Sequence, residues 1–114
     1  MAAWTLTARR GSDVSREKFD SLDDAIAEAE RQTDEVIADG PLSSVKAIRD
    51  YEPVKLVKAR IEISGKGMLR PPTAGIDIHG DLSLTGFRGS IARKPFQATD
   101  AKEIFAEIRD YLGR

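Results

Sequence analysis

The only histidine of this chain stands between two aspartates, in the segment GIDIHGD at positions 75–81. Successive side chains of a strand point to opposite faces, so Asp77, His79 and Asp81 would share one face. Residues two apart lie about 6.6 Å from each other along a strand. Asp77 with His79, or His79 with Asp81, could therefore hold one metal ion, or an aspartate could orient the imidazole as a base. One hypothesis is accordingly a metal-dependent protein or enzyme centred on His79.

The competing interpretation of this segment is a solvated strand face beside a turn. No nucleophile motif accompanies the histidine, neither Gly-x-Ser-x-Gly nor His-Glu-x-x-His. Half-exposed antiparallel strands commonly present such polar residues to water, and Asp81 suits a turn position. The sequence thus favours a non-enzymatic protein without a cofactor, and a metal site at Asp77 and His79 stays open as the alternative.

Composition indicates a single folded domain that spans residues 1–114. Hydrophobic residues make up 40% of the chain and charged residues 32%, which is too apolar for a disordered chain. No apolar run approaches the roughly 20 residues of a spanning helix, and the amino terminus lacks the pattern of a secretion signal. The chain has no cysteine, which excludes disulfides and cysteine-type zinc sites. We therefore expect a cytoplasmic protein that does not contact membranes.

Opposite charges are segregated along the chain, although the formal net charge is only −1. Positions 20–39 hold eight acidic residues and one basic residue, whereas positions 55–94 hold eight basic residues and three acidic residues. Such segregation creates opposite electrostatic fields on different parts of a folded molecule.

The pattern of the amino-terminal part predicts a hairpin followed by a helix. Apolar and polar residues alternate over positions 4–9, and a second strand over about 14–19 would pair with them across a turn. Ser21 has the position of a helix cap, with an aspartate three residues later. An apolar stripe over 22–37 predicts an amphipathic helix that ends before Gly40.

The middle of the chain predicts a short helix, a strand and a loop. Serines 43 and 44 could cap a short helix over 44–51, which Pro53 would end. Alternation over 56–64 predicts a strand with a small irregularity near positions 57–58. Glycine and proline are dense over 65–75, which predicts a loop.

The carboxyl-terminal part predicts a second hairpin and a second helix. The segment 75–96 divides into two strands around a turn near positions 80–83, with Gly86 and Gly89 as bulge or close-approach positions. Asp100 caps a helix whose apolar stripe ends at Leu112.

These elements predict an α+β fold in the order β-β-α-(α)-β-β-β-α. An antiparallel sheet of four to five strands would pack on two amphipathic helices, and the hairpin-plus-helix unit recurs as a degenerate repeat. The hairpin followed by SLDDAIAEAE resembles the opening of several small α+β modules, among them HicB-type antitoxins and the arm-binding domains of phage integrases. Capped helices after strands are generic, so this resemblance transfers no site residues.

Basic residues are the main candidate for binding. Alternation places Arg88 with Lys94 and assigns Arg93 to the other face, unless a glycine bulge shifts the register, and the neighbouring strand adds Arg60 to a polar face. The loop over 65–75 could add a contact patch. Its candidate residues are Met68, Leu69 and Arg70.

The leading hypothesis is a small interaction module that binds a macromolecular partner through a basic sheet face and the 65–75 loop. The partner would be another protein or a second copy of this chain, since the acidic helix could complement the basic face. The alternative is nucleic-acid binding by the same face through phosphate contacts. Aromatic residues are only 6% of the chain, which disfavours a stacking platform for single strands.

Overall fold

The protein forms one six-stranded antiparallel sheet with two helices, in a computed structural model that describes residues 3–41, 56–66, 71–90 and 92–113. The strands are β1 (Trp4–Arg10), β2 (Asp13–Phe19), β3 (Val57–Gly65), β4 (Thr73–His79), β5 (Leu84–Arg88) and β6 (Lys94–Pro95). The helices are α1 (Leu22–Ala38) and α2 (Ala101–Leu112). The strand order across the sheet is β2-β1-β3-β4-β5-β6. The α+β prediction is confirmed, with six strands rather than four or five; the helix predicted over 44–51 lies outside the described residues.

The first hairpin forms because the chain can reverse sharply at Gly11. This residue has φ +60, a left-handed conformation that costs glycine little, and Arg10 pairs directly with Asp13 across the turn. Strand β1 then pairs with the edge strand β2 on one side and with β3 on the other, both antiparallel.

Helix α1 starts at the capping residue that the sequence predicts. The Ser21 hydroxyl accepts a hydrogen bond from the backbone N–H of Asp24 at 3.1 Å, which satisfies an amide that the helix itself leaves unpaired. The apolar stripe is buried against the sheet, with Ile26 and Val36 each 1% exposed. Helix α2 is capped in the same way, because Asp100 Oδ1 accepts from the Glu103 N–H at 2.8 Å.

The far end of α1 is stabilised by a residue from the sheet. α1 has no basic residue in its last turn. The register of β3 shifts between Val57 and Ala59, which confirms the predicted irregularity. Lys58, at this shift, donates from Nζ to the carbonyl of Val36 at 2.9 Å and to the carbonyl of Gly40. The ammonium group thus supplies the positive charge that a helix carboxyl end favours.

The core lies between the helices and one side of the sheet. Each isoleucine of this layer removes apolar surface from water and contributes about 1.5–3 kcal/mol. The largest fully buried side chains include Leu6, Ile61, Ile63, Ile76 and Ile78 from the sheet and Ile26, Ile104 and Ile108 from the helices. α1 packs mainly over β1 and β3, and α2 over β4 and β5.

The second hairpin region differs from its prediction by one added strand. The predicted strand through Phe96 is interrupted at Gly89, which has φ +90, so the chain turns and returns as β6 beside β5. Gly86 is a close-approach position as predicted, since a Cβ there would lie 2.6 Å from Ile104 Cγ2. In the described part of the chain, no helix has both the length and the apolar character needed to cross a membrane.

Candidate interaction surface

The side of the sheet away from α1 and α2, here called the open face, carries most of the polar strand residues. Directly paired residues of an antiparallel sheet share a face, so the registers define its membership. Its members are Val14, Arg16 and Lys18 of β2; Thr5, Thr7 and Arg9 of β1; Val57, Arg60, Glu62 and Ser64 of β3; Thr73, Gly75, Asp77 and His79 of β4; and Thr85 and Phe87 of β5.

An aromatic ring occupies the β4–β5 part of the open face. Phe87 pairs with Gly75, and a Cβ on Gly75 would lie 2.8 Å from Phe87 Cζ, so the ring lies over the glycine. The guanidinium groups of Arg60 and Arg93 each lie 5.4 Å from the ring centroid. Phe87 is consequently only 3% exposed. The ring acts as a small core on this side of the sheet and offers no free face for stacking on a nucleotide base.

Arg60 forms a bidentate ion pair with Asp77. Arg60 Nε donates to Asp77 Oδ1 at 2.6 Å, and Nη2 donates to Oδ2 at 3.0 Å. These hydrogen bonds raise the pKa of the Arg60 guanidinium, with burial acting against them. The pair matches the geometry that arginine and carboxylate prefer, and it fixes both side chains across β3 and β4.

Arg93 makes a looser contact with Glu62. Their closest charged atoms, Arg93 Nη2 and Glu62 Oε2, are 3.9 Å apart, and Oε2 is buried without a hydrogen-bond partner. Arg93 thus covers Phe87 and partly neutralises Glu62 without the direct hydrogen bonds of the Arg60 pair.

The three candidate ligands of the GIDIHGD segment, Asp77, His79 and Asp81, have separate hydrogen-bond partners. Asp77 binds Arg60, and His79 Nε2 lies 2.8 Å from the hydroxyl of Thr85. Asp81 closes the turn by accepting from the hydroxyl and the N–H of Ser83, hydrogen bonds that lower the pKa of Asp81. Among the described residues, no three or more histidine or acidic side chains are grouped so that they could hold a metal ion.

The predicted basic residues divide between the two sides of the sheet. Arg60 and Arg93 lie on the open face, where both meet Phe87. Arg88 instead pairs with buried Ala74, which places it on the helix side, and its guanidinium lies 5.7 Å from the Tyr111 ring of α2. Alternation predicted that Arg88 and Lys94 share one face and that Arg93 lies on the other, and the structure has this arrangement, so the residues proposed to form a basic sheet face lie on both sides of the sheet. Lys94 pairs with Arg88 and shares the helix side; Met68, Leu69 and Arg70 lie outside the described residues.

Three further bases on the open face were missed by the sequence reasoning. Arg9, Arg16 and Lys18 are all exposed, and none has an ion pair with a described residue. Alternation within β2 puts Arg16 and Lys18 on one face, but only the pairing with β1 shows that this is the face of Arg60.

Two exposed hydrophobic side chains flank Arg9. Val14 of β2 pairs with Arg9, and Val57 of β3 pairs with open-face His79. They are 43% and 44% exposed, and they are the large exposed hydrophobics of the described chain. Arg9 and Val57 line the same recess of about 220 Å³, together with Arg60 among others. We call Val14, Arg9 and Val57 the contact patch.

The open face and the helices carry opposite charge. The open face holds five bases, Arg93 included, and two acids, whereas α1 and α2 together hold nine acids and three bases. Part of the acidic excess is paired along α1. The hydrogen bonds from Arg31 lower the pKa of Glu28 to about 2, and Glu35 accepts from both Arg10 and Arg31. The helices thus carry an acidic excess and the open face a basic one, although Lys58, Arg88 and Lys94 of the basic segment lie on the helix side.

The comparisons with known proteins give no relative for this chain. No protein family model matches it, and neither the curated proteins nor the solved structures provide a match.

Proposed function

We propose that this chain is a small interaction module whose open face binds an acidic surface of a protein partner. The observation that carries the proposal is the contact patch, in which two exposed valines lie beside Arg9, an exposed arginine that forms no ion pair with a described residue. Stable protein interfaces combine apolar contacts with arginine at their centre and polar residues around them. The contact patch has this composition on a small scale.

Charge supports an acidic partner. Arg16 and Lys18 extend the positive surface from the contact patch along β2. The acidic helices lie on the opposite side of the sheet, so an approaching acidic surface is attracted to one side of the molecule and repelled by the other. The field therefore orients the partner before contact.

Nucleic acid is the second candidate because Arg9, Arg16 and Lys18, which form no ion pair with a described residue, could contact phosphates. The open face also carries the hydroxyls of Thr5 and Thr7, which suit phosphate and sugar contacts. The exposed valines favour protein, since interfaces with nucleic acid are more polar and more strongly positive.

The test compares two charge reversals of equal size on opposite sides of the sheet. Arg9→Glu alters the contact patch, and Lys94→Glu is the control, because both residues are exposed and each change alters the net charge by two. Immobilised wild type and variants are incubated with nuclease-treated lysate of the source cells, and retained proteins are quantified. We expect one protein to be retained by the wild type and by Lys94→Glu, and at least about tenfold less by Arg9→Glu.

The opposite pattern, with loss at Lys94→Glu alone, would contradict the assignment to the open face. Short DNA and RNA duplexes are titrated into the labelled protein at low and moderate salt. The backbone amide shifts then distinguish nucleic-acid binding from protein binding. Shifts on β1, β2 and β3 that vanish with added salt would favour nucleic acid over a protein partner.

A further inference from the structure

The outer edge of β2 is the longest unpaired strand edge in the described sheet. β2 ends the strand order on its side and pairs over seven consecutive residues with β1 without a bulge, whereas β6 at the other edge has two residues. Six of the seven β2 residues are exposed. An edge of this kind presents backbone N–H and C=O groups that another strand can pair with.

Alternation sorts the charges of β2 onto its two sides. Arg16 and Lys18 point to the open face, and Asp13 and Glu17 point to the helix side. A strand added beside β2 would therefore meet two bases on one face and two acids on the other, since directly paired residues share a face.

This arrangement disfavours a second copy of the chain as the added strand. Two β2 strands that pair in antiparallel fashion about a two-fold axis put open-face residues opposite open-face residues. The central register sets Arg16 against Arg16, and a shift by one pair sets Arg16 against Lys18 or Val14. On the helix side, acids likewise meet only acids, Ser15 or Phe19. No such register gives a pair of opposite charges, and like charges opposite one another destabilise the pairing.

We infer that the β2 edge binds an extended peptide segment whose charges alternate in the complementary sense. The segment carries acids on the open face, against Arg16 and Lys18, and a base on the helix side, against Glu17. A small apolar residue meets Val14. The backbone of β2 supplies the pairing, and the alternation of charge selects the segment. This site lies on the edge of the sheet and shares Val14 with the contact patch, but it does not use Arg9 or Val57.

Two blocked heptapeptides of the same composition test this inference. In antiparallel pairing, Val-Glu-Lys-Glu-Thr-Val-Lys sets its glutamates against Lys18 and Arg16 and its first lysine against Glu17. The control, Val-Lys-Glu-Lys-Thr-Val-Glu, inverts every charge at the same positions. Each peptide is titrated to millimolar concentration into the labelled full chain while backbone amides are followed. We expect the first peptide to bind at least about tenfold more tightly, with the largest shifts on β2.

A charge-swapped variant tests the inference by a reversal of peptide preference and not only by a loss of binding. Arg16→Glu/Glu17→Lys/Lys18→Glu changes only exposed residues of β2, and the retained amide spectrum of the core reports that the variant is folded. We expect the preference between the two peptides to reverse. The inference is overturned if neither peptide binds the wild type, if both bind equally, if the preference survives the swap, or if the shifts lie away from β2. Because Arg9 and Val57 are unchanged, failure here leaves the test of the contact patch intact.

Discussion

The charged residues in one half of the open face form ion pairs, whereas those in the other half are exposed. On β3, β4 and β5, Arg60 has Asp77 as a partner, Arg93 has Glu62, and both lie against Phe87. On β1 and β2, the open-face residues Arg9, Arg16 and Lys18 are exposed and form no ion pair with a described residue. Paired charges over an aromatic ring stabilise the fold, whereas unpaired charges on an exposed strand remain free to meet another molecule. Substitutions in the first half should therefore affect folding, and those in the second half should affect binding.

The largest effect on folding is expected at Gly75. A Cβ at this position would meet the carbonyl oxygen of Ile61 and lie 2.8 Å from the Cα of Glu62 and from the Phe87 ring. Backbone atoms of a central strand cannot move aside, so Gly75→Ala should lower the free energy of unfolding by about 3 kcal/mol. Urea denaturation measures this change.

Gly86→Ala is the control for Gly75→Ala, because its Cβ would meet side-chain atoms of Ile104 and Phe96 instead of backbone. These side chains can adjust, and the expected loss is about 1 kcal/mol. Equal losses at the two glycines would contradict the close approach of β3 and Phe87 to Gly75.

The second effect is expected from the Arg60 and Asp77 pair. Asp77→Asn removes the carboxylate charge and leaves the partly buried guanidinium of Arg60 without its counter-charge. The expected loss in the free energy of unfolding is about 2 kcal/mol. If the cost comes from the unpaired charge, adding Arg60→Met should recover part of it, and a double variant less stable than either single variant would contradict that cause.

The smallest effect on folding is expected at Arg93. Its side chain is 38% exposed and lies 3.9 Å from Glu62, so Arg93→Ala should cost no more than about 1 kcal/mol. Thermal denaturation at low and high salt measures the change, and the difference from wild type should shrink with salt. A loss in the free energy of unfolding as large as that of Asp77→Asn would contradict the difference between the tight Arg60–Asp77 pair and the looser Arg93–Glu62 pair.

Local signals in the sequence were sufficient for most elements of the fold. The caps at Ser21 and Asp100 act through residues three positions away, so their sequence spacing was enough to identify them. The apolar stripes of both helices likewise report a single face, and the irregularity near Val57 follows from a break in alternation. Each of these features depends on residues that are close together in the chain.

The site was harder to predict because it depends on pairing between distant strands. Arg9 and Arg60 face each other across β1 and β3, about fifty positions apart, and no local pattern fixes that register. Alternation gave the relative faces of Arg88, Arg93 and Lys94 correctly, but it did not show that Arg88 and Lys94 lie on the helix side and Arg93 on the side of Arg60. Gly75 looked like the end of a loop, and its role appears only when Phe87 lies over it.

The contact from Lys58 to the end of α1 bears on the order of events during folding. The ammonium group reaches Val36 and Gly40 from positions 22 and 18 residues further along the chain. Closing loops of this length costs entropy that local helical hydrogen bonds do not. We therefore expect the last turn of α1 to gain its full stability only once β3 has joined the sheet. The helix then matures from its Ser21 end towards its carboxyl end: Gly40, with φ +84, fixes where α1 stops, and the completed sheet stabilises that end through Lys58.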